Sequence, residues 1–282
     1  MSNLISRTIT GVLFVACIVL GILGGPISFA AVFSIVTALT VWEFCQLANQ
    51  HGGASVNAPL TTLGAIYLFA AVIFGSSDFM SPAHAKALGA GYILIIILLL
   101  VYELYARSET PFQNWAYAFA AQIYIALPFS LLGSLAFHPA AGFETGYASL
   151  LPLAVFIFIW TNDTGAYCVG SLLHKRFPAK LFPRISPKKS WVGSIGGGLL
   201  CILAAWIMAT LTGTMTIAVW MGFAMTVCVF GTWGDLVESL LKRQLGIKDS
   251  GHILPGHGGM LDRFDSSLMA IPASTLYFYL IF

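Results

Sequence analysis

The sequence predicts an all-α, polytopic integral membrane protein with about nine transmembrane helices. Of its 282 residues, 58% are hydrophobic and only 9% are charged, whereas a soluble globular domain carries about 25% charged residues. Apolar runs long enough to cross a bilayer recur from one end of the chain to the other. A net charge of +2 is too small to indicate a polyanionic partner, so we expect a membrane protein that binds no nucleic acid.

Nine apolar runs, separated by charges, prolines and glycines, are the predicted spans. A helix that crosses a bilayer core needs roughly 17–25 apolar residues. The runs are 8–24, 26–48, 60–75, 87–106, 115–137, 146–161, 191–212, 215–234 and 267–282. The first is long for a signal peptide and further apolar runs follow it, so we expect an uncleaved span. A re-entrant or tilted segment is the alternative for one or two of the shorter runs.

The distribution of Lys and Arg predicts the orientation. If the N-terminus is cytoplasmic, the inside segments are 1–7, 49–59, 107–114, 162–190 and 235–266. These segments hold 12 of the 13 Lys and Arg residues, and Lys86 is the exception. Cytoplasmic loops of membrane proteins are enriched in Lys and Arg. We therefore expect the N-terminus and these loops on the cytoplasmic side. The chain shows no internal repeat and no long linker, which predicts a single membrane domain over 1–282, with N-terminal helices in 1–145 and a catalytic part in 146–282.

Two of the inside segments combine cations with acids. The cations are Lys175, Arg176, Lys180, Arg184, Lys188 and Lys189 in the first segment, and Lys242, Arg243, Lys248 and Arg263 in the second. The acids on the same side include Asp163, Asp235, Glu238, Asp249, Asp262 and Asp265. Fixing the topology is an alternative role for the first group of cations alone. The mixture of both charges predicts a functional site at the cytoplasmic membrane boundary.

Two further acids, Glu43 and Glu103, fall near the cytoplasmic ends of the second and fourth predicted spans. The favoured interpretation is an interfacial carboxylate that reaches water. The alternative is a buried carboxylate, which needs a metal, a cation or a hydrogen-bond donor to offset its loss of solvent. Gly196, Gly197 and Gly198 lie inside an apolar run, which favours close helix packing over a phosphate-binding loop.

The segment 234–266 carries the densest set of polar residues. A spacing of three or four residues predicts a helix with a polar stripe formed by Asp235, Glu238, Ser239 and Lys242. Pro255 and the pair Gly258 and Gly259 end any helix and free backbone N–H groups to approach an anion. Carboxylates hold Mg²⁺ and cations bind phosphate oxygens. The segment thus predicts chemistry on a phosphate ester. A transporter that uses buried acids has no need for a glycine-rich loop among these cations and acids.

Three stretches in this half of the chain form specific motifs. Residues 239–265 read S-x-x-K-R-x4-K-D-x-G-x3-P-G-H-G-G-x-x-D-R-x-D, residues 163–167 read D-T-x-A-Y, and residues 186–191 read S-P-x-K-S-W. The first resembles the signature of the phosphatidate cytidylyltransferase (CDP-diacylglycerol synthase) family, and the other two resemble that family's D-T-x-A-Y and S-P-x-K-[ST]-W stretches. The resemblance implies transfer of a cytidylyl group from CTP to phosphatidate, giving CDP-diacylglycerol and pyrophosphate, at the bacterial cytoplasmic (inner) membrane.

The resemblance also implies roles for individual residues. Asp235 and Asp262 are the central metal ligands. Asp265 and Asp249 are second choices, as ligands or as partners that orient Lys248 and Arg263. Mg²⁺ is the expected ion because carboxylate and phosphate oxygens suit it, with Mn²⁺ as a substitute and a second cation as a further expectation. The catalytic set is Asp235, Asp262, Lys242 and Lys248. The substrate-binding set is Lys188, Lys189, Ser190, Ser239, Arg243, His257 and Arg263. For His257, packing within the turn is the alternative to a hydrogen bond with a phosphate oxygen. The substrates CTP and phosphatidate and the membrane lipid are the expected partners, and a homodimer is also implied.

Two alternatives stay open from the sequence. A CTP-dependent polyprenol or phytol kinase also pairs a nucleotide with a membrane lipid, but it releases CDP and a phosphorylated alcohol. A membrane transporter would move a substrate across the bilayer and make no lipid product.

Overall fold

The fold is built from ten α-helices and one β-hairpin in the residues that the structure describes. This computed structural model describes residues 2–76, 81–138, 146–251, 253, 256 and 258–282. The helices are α1 Ser2–Leu23, α2 Pro26–His51, α3 Ala58–Ser76, α4 Pro82–Ala106, α5 Pro111–Ala120, α6 Leu127–Ala136, α7 Leu150–Leu173, α8 Trp191–Thr212, α9 Ile217–Gln244 and α10 Leu261–Ile281. A π-helical turn, Ala121–Ala126, joins α5 to α6. The antiparallel hairpin is β1 Lys180–Phe182 and β2 Ser186–Ser190.

Each predicted apolar run coincides with helical structure, and the chain is an all-α integral membrane protein apart from the short hairpin. Within the described residues, six helical segments are long and apolar enough to cross a membrane. They are α2, α3, α4, the continuous segment 111–136, α8 and α9. The apolar part of α1, Thr8–Leu23, is shorter, and α7 and α10 are not among the six. The total of nine spans therefore stays a prediction.

Two helices continue past the predicted ends of their spans. Helix α7 runs on to Leu173, although its apolar run ends at residue 161. Helix α9 runs on to Gln244, which confirms the predicted helix with a polar stripe after residue 234. A helix satisfies its own backbone hydrogen bonds, so it does not have to end where the sequence becomes polar. As a result Asp163 and Asp235 lie on helices, where their positions are fixed by the helical repeat.

The chain divides into two compact units. The N-terminal unit contains Met1–His138, Thr145–Ser149 and Leu245–Phe264, and the C-terminal unit contains Pro139–Glu144, Leu150–Gln244 and Asp265–Phe282. The polar segment 245–264 thus groups with the N-terminal helices, which were predicted from hydropathy alone. The predicted single membrane domain, with its catalytic part in 146–282, stays a prediction.

Glycines allow α7 and α8 to pack closely in the C-terminal unit. A Cβ atom built on Gly196 would lie 2.5 Å from Val169, and one built on Gly197 would lie 2.7 Å from the carbonyl oxygen of Asn162. Only residues without a side chain let two helix backbones approach this far. The predicted packing role is confirmed for these two glycines. In the same unit, buried aromatic rings connect α7, α9 and α10, namely Phe158, Trp220, Phe223 and Phe278.

We expect Gly197→Ala to destabilise the C-terminal unit. Its new methyl group would press on the α7 backbone at Asn162, and overpacking of this kind costs about 1–3 kcal/mol. The measurement is the thermal unfolding midpoint of the detergent-solubilised protein. The matched control is Gly198→Ala on the same helix, where the new Cβ would be 3.6 Å from Cys228 Sγ, an ordinary contact. Equal unfolding midpoints for the two variants would contradict the packing argument.

Candidate active site

The C-terminal unit contains a cavity of about 520 Å³ that is lined in part by polar and charged side chains. It lies where α7, the β-hairpin, the beginning of α8 and the middle of α9 come together. Its polar lining consists of Asn162, Asp163, Tyr167, Ser171, His174, Lys180, Lys188, Lys189, Ser190, Ser194, Thr232 and Asp235. The cavity therefore collects residues from both inside segments that the sequence predicted to be functional.

An ion pair joins the two segments inside this cavity. Lys189 Nζ on β2 lies 2.6 Å from Asp235 Oδ2 on α9, and both side chains are partly exposed. The next residue, Ser190, is buried and is the N-cap of α8, where its hydroxyl accepts a hydrogen bond from the Gly193 N–H at 3.2 Å. The N-terminus of a helix favours anions because its first N–H groups lack partners within the helix. Lys188, Lys189, Ser190 and Asp235, which were predicted separately, are thus brought together.

Asp265 is a second carboxylate beside Asp235. It is half-buried and precedes the apolar part of α10. Helices α9 and α10 pack closely at this point, since a Cβ atom built on Gly234 would lie only 2.5 Å from the Asp265 carbonyl oxygen. Burial, and then the negative charge of Asp235, raise the pKa of Asp265 to about 7, while Lys189 acts in the opposite direction. The two carboxylates repel each other, and the Lys189 ammonium group relieves part of this repulsion.

The polar stripe of α9 continues from Asp235 toward the C-terminal end of the helix. Ser239 Oγ donates a hydrogen bond to Asp235 Oδ1 at 3.2 Å. Glu238 is fully buried and its Oε2 lies 2.5 Å from Lys242 Nζ. Both contacts join residues four apart, as the predicted helical spacing requires. Lys242 was predicted as a catalytic residue, and in the structure its ammonium group neutralises the buried Glu238.

Two carboxylates of the N-terminal unit accept hydrogen bonds from described residues of the signature segment 245–264. Asp262 Oδ2 accepts hydrogen bonds from the backbone N–H groups of Ser250, at 2.8 Å, and Gly259, at 2.9 Å. Glu43 Oε2 accepts from the Met260 N–H at 2.9 Å, and Glu43 Oε1 accepts from the Leu261 N–H at 3.0 Å. The N–H groups freed by the glycines do approach anions, as predicted, but these anions are side chains of the protein itself.

The favoured sequence interpretation of Glu43 and Glu103 is wrong, because neither side chain reaches water. Glu43 is 5% exposed and Glu103 is 7% exposed. Glu103 Oε2 accepts a hydrogen bond from Asn114 Nδ2 at 2.9 Å, and Glu43 accepts the bonds described above. Donated hydrogen bonds offset the cost of burying a carboxylate. Both residues therefore follow the alternative interpretation, a buried carboxylate with donors.

The remaining predicted residues are placed as follows. Arg243, Lys248, Asp249 and Arg263 are exposed, and His257 lies outside the described residues. Asp235 and Asp265 belong to the C-terminal unit, whereas Asp249 and Asp262 belong to the N-terminal unit. Among the described residues, no three His, Cys, Asp or Glu side chains form a group that could hold a metal ion. The predicted sharing of one ion by Asp235 and Asp262 stays a prediction.

Several cavity residues were not predicted from the sequence. Asn162, buried at the cavity, donates to Thr232 Oγ1 at 3.3 Å and thereby links α7 to α9. His174 and Ser194 line the cavity from the end of α7 and the beginning of α8. Asn162 adjoins the family-like stretch 163–167, and this adjacency is a signal that could have identified it. The sequence holds no comparable signal for His174 or Ser194.

The fold and the site together define a class of protein. It is an integral membrane protein with a cavity lined by lysines and carboxylates, which are the groups that chemistry on phosphate esters requires. The cytidylyltransferase family matches residues 5–281 of the chain. The phosphatidate cytidylyltransferase of Staphylococcus saprophyticus is 32% identical over 269 residues, which cover 94% of this chain and 95% of that protein. The Haemophilus influenzae phosphatidate cytidylyltransferase is 30% identical, with 98% of each chain covered. The Staphylococcus haemolyticus protein of the same name is 36% identical, with 70% of each chain covered. The chain belongs to the cytidylyltransferase family, and the resemblance in its motifs is confirmed.

Proposed function

We propose that this protein is an enzyme that transfers the cytidylyl group of CTP to phosphatidate and forms CDP-diacylglycerol and pyrophosphate. The observation that carries the proposal is the cavity in which Lys188 and Lys189 meet Asp235, in a chain that matches the cytidylyltransferase family over residues 5–281. Relatives that are named phosphatidate cytidylyltransferase and that cover 94–98% of this chain support the choice of phosphatidate as the acceptor.

The reaction needs charge stabilisation more than it needs a base. An oxygen of the phosphatidate phosphate attacks the α-phosphorus of CTP, a new P–O bond forms, and the bond from the α-phosphorus to the bridging oxygen breaks as pyrophosphate leaves. A phosphate monoester has a second pKa of about 6, so the attacking oxygen is already largely ionised at pH 7. Both reactants are anions. The main tasks of the enzyme are to offset their repulsion and to stabilise the leaving group.

The lysines of the cavity supply part of this positive charge. Lys188 and Lys189 are adjacent on β2 and both line the cavity, together with Lys180 on β1. The N-terminus of α8, capped by Ser190, faces the same space. We assign these groups to the phosphates of the substrates. In this role Asp235 holds the Lys189 ammonium group at a fixed place on the cavity wall.

We propose that the carboxylates of the C-terminal unit hold a magnesium ion. Magnesium in phosphoryl-transfer sites is usually held by one or two carboxylates, with substrate phosphates and water completing its shell. Asp235 and the neighbouring Asp265, whose pKa is raised partly by Asp235, form such a pair. When bound, the ion would neutralise phosphate charge. Mn²⁺ is a chemically similar substitute. A second cation, and metal binding by Asp262 and Asp249, also stay part of the proposal.

A membrane location suits a lipid acceptor. The acyl chains of phosphatidate can stay in the bilayer while its headgroup meets the water-soluble nucleotide. We propose that the site and the N-terminus face the cytoplasm, because 12 of the 13 Lys and Arg residues lie on the predicted inside segments. The bacterial cytoplasmic (inner) membrane and a homodimer are also part of the proposal.

The test is a product assay with the purified full-length protein. It is incubated with CTP, Mg²⁺ and either phosphatidate or a polyprenol, and the lipid and soluble products are identified by mass spectrometry. CDP-diacylglycerol and pyrophosphate are expected with phosphatidate. Release of CDP with a phosphorylated alcohol would overturn the proposal in favour of a lipid kinase. Substrate flux into proteoliposomes without a lipid product would overturn it in favour of a transporter.

The raised pKa of Asp265 predicts that metal binding weakens as the pH falls. A carboxyl group with a pKa of about 7 is mostly protonated at pH 6 and mostly ionised at pH 8, and a metal binds the ionised form. We expect the concentration of Mn²⁺ at half-saturation, measured by electron paramagnetic resonance without substrates, to rise about tenfold from pH 8 to pH 6. Asp265→Asn should remove this dependence. The same half-saturation at both pH values in the unmodified protein would contradict the assignment.

A further inference from the structure

Glu43 is a buried carboxylate of α2 with both of its oxygens directed at the signature segment. Oε1 lies 2.5 Å from Ser250 Oγ and 3.0 Å from the Leu261 nitrogen, and Oε2 lies 2.9 Å from the Met260 nitrogen. These donors are 207 to 218 positions away along the chain. Two of them are N–H groups at the beginning of α10, where a helix has unpaired donors and favours a negative charge.

Three glycines of the signature leave the space that the carboxylates Glu43 and Asp262 occupy. A Cβ on Gly259 would overlap Glu43 Oε1 and Ser250 Oγ, and a Cβ on Gly251 would lie 2.6 Å from Glu43 Oε2. Gly258 has a φ of +85°, which other residues rarely adopt, and a Cβ there would lie 2.6 Å from Asp262 Oδ2. Two of these glycines thus make room for Glu43, and the third makes room for Asp262.

The hydroxyl group of Ser250 connects the two carboxylates. Ser250 is 3% exposed, and its Oγ lies within hydrogen-bond distance of Glu43 Oε1 and, at 2.9 Å, of Asp262 Oδ2. Movement of Glu43 would therefore change the surroundings of Asp262 directly. It would also change the first turn of α10, which carries Asp262 and Arg263 as its second and third residues.

We infer that Glu43 is a positioning residue for the reaction: from α2 it fixes the beginning of α10, and with it the directions of Asp262 and Arg263. This inference rests on the proposed function, which gives those two residues their roles. It assigns a function to the N-terminal half of the chain, which carries no motif of its own. Glu43 touches no reacting atom and acts only through the residues that it holds.

The test compares Glu43→Gln with the unmodified full-length protein in the same detergent. The side-chain nitrogen of Gln is a donor, whereas the carboxylate oxygen that it replaces is an acceptor. One backbone N–H group would therefore face another donor and lose its hydrogen bond. Hydrogen exchange, followed by mass spectrometry, should become at least about tenfold faster in peptides covering 256–264. Turnover per folded molecule should fall about 10–100-fold, because small misplacements of catalytic groups have effects of this size. The folded fraction is taken from size-exclusion chromatography.

The matched control is Glu103→Gln, a second buried carboxylate of the N-terminal unit, held by Asn114. It should change turnover less than about threefold and leave exchange in 256–264 unaltered. A double variant, Glu43→Gln with Ser250→Ala, should be at most about threefold slower than Glu43→Gln alone, since both changes loosen the same contact. Unchanged exchange in Glu43→Gln, or an equal loss of turnover in the control, would overturn the inference. If the unmodified protein makes no CDP-diacylglycerol, the proposed function fails, whereas the exchange experiment still decides whether Glu43 holds the segment.

Discussion

Asp235→Asn is expected to reduce the formation of CDP-diacylglycerol at least about 100-fold, while the protein stays folded. The substitution keeps the size of the side chain but removes the charge that lies 2.6 Å from Lys189. It also removes one of the two carboxylates that we propose to hold Mg²⁺. A 100-fold loss corresponds to about 2.7 kcal/mol of transition-state stabilisation, within the several kcal/mol that a bound metal can supply.

The measurement is the initial rate of pyrophosphate release, normalised to the folded protein. The control is Glu109→Gln, which neutralises an exposed acid that precedes α5 and should change the rate less than about twofold. The thermal unfolding midpoint should change little, because an Asn at position 235 can still accept the hydrogen bond from Ser239. If Asp235→Asn keeps more than a tenth of the rate, a central role for this carboxylate is wrong.

Hydropathy located every helix that the structure describes, because inside a bilayer a long apolar run can pair its backbone N–H and C=O groups only as a helix. It did not locate the ends of α7 and α9, which continue to Leu173 and Gln244. The signal in an apolar run ends where polar residues begin, yet a helix needs no apolar residues to continue. For α9 a second signal existed, the spacing of Asp235, Glu238, Ser239 and Lys242, and the extension was predicted. For α7 no such periodicity was used, and its end was predicted too early.

The candidate site was predictable to the extent that its residues lie in motifs. Lys188, Lys189 and Ser190 were identified within one motif and Asp235 at the beginning of the polar stripe that leads into another, and the structure brings them to one cavity. The residue that holds the signature segment, Glu43, was seen only as an acid near the end of a span. Its partners are more than 200 positions away, and one sequence gives no means of pairing residues at such a distance. The same holds for His174 and Ser194, which reach the cavity only because α7 and α8 pack together.

Asp262→Asn is expected to cause a loss as large as that of Asp235→Asn, but without loosening the segment that carries it. Asp262 Oδ2 accepts the N–H groups of Ser250 and Gly259, at 2.8 and 2.9 Å. The carbonyl oxygen of Asn can accept the same two hydrogen bonds. The substitution therefore removes the negative charge and largely preserves the turn. We expect at least about a 100-fold loss of turnover, because the resemblance assigns a metal-binding role to this carboxylate and a neutral amide is a poor magnesium ligand.

Two measurements on Asp262→Asn separate charge from structure. Hydrogen exchange in 256–264 should stay close to that of the unmodified protein, in contrast to Glu43→Gln, while the rate of pyrophosphate release falls. Asp262→Ala provides the comparison, because it removes the acceptor as well, leaves two N–H groups without their partner and should destabilise the protein by about 1–3 kcal/mol. Retention of more than a tenth of the turnover by Asp262→Asn would show that the charge is dispensable. The carboxylate would then act only by accepting the hydrogen bonds that hold the turn. The presence of this aspartate in the signature would be explained by folding and not by catalysis.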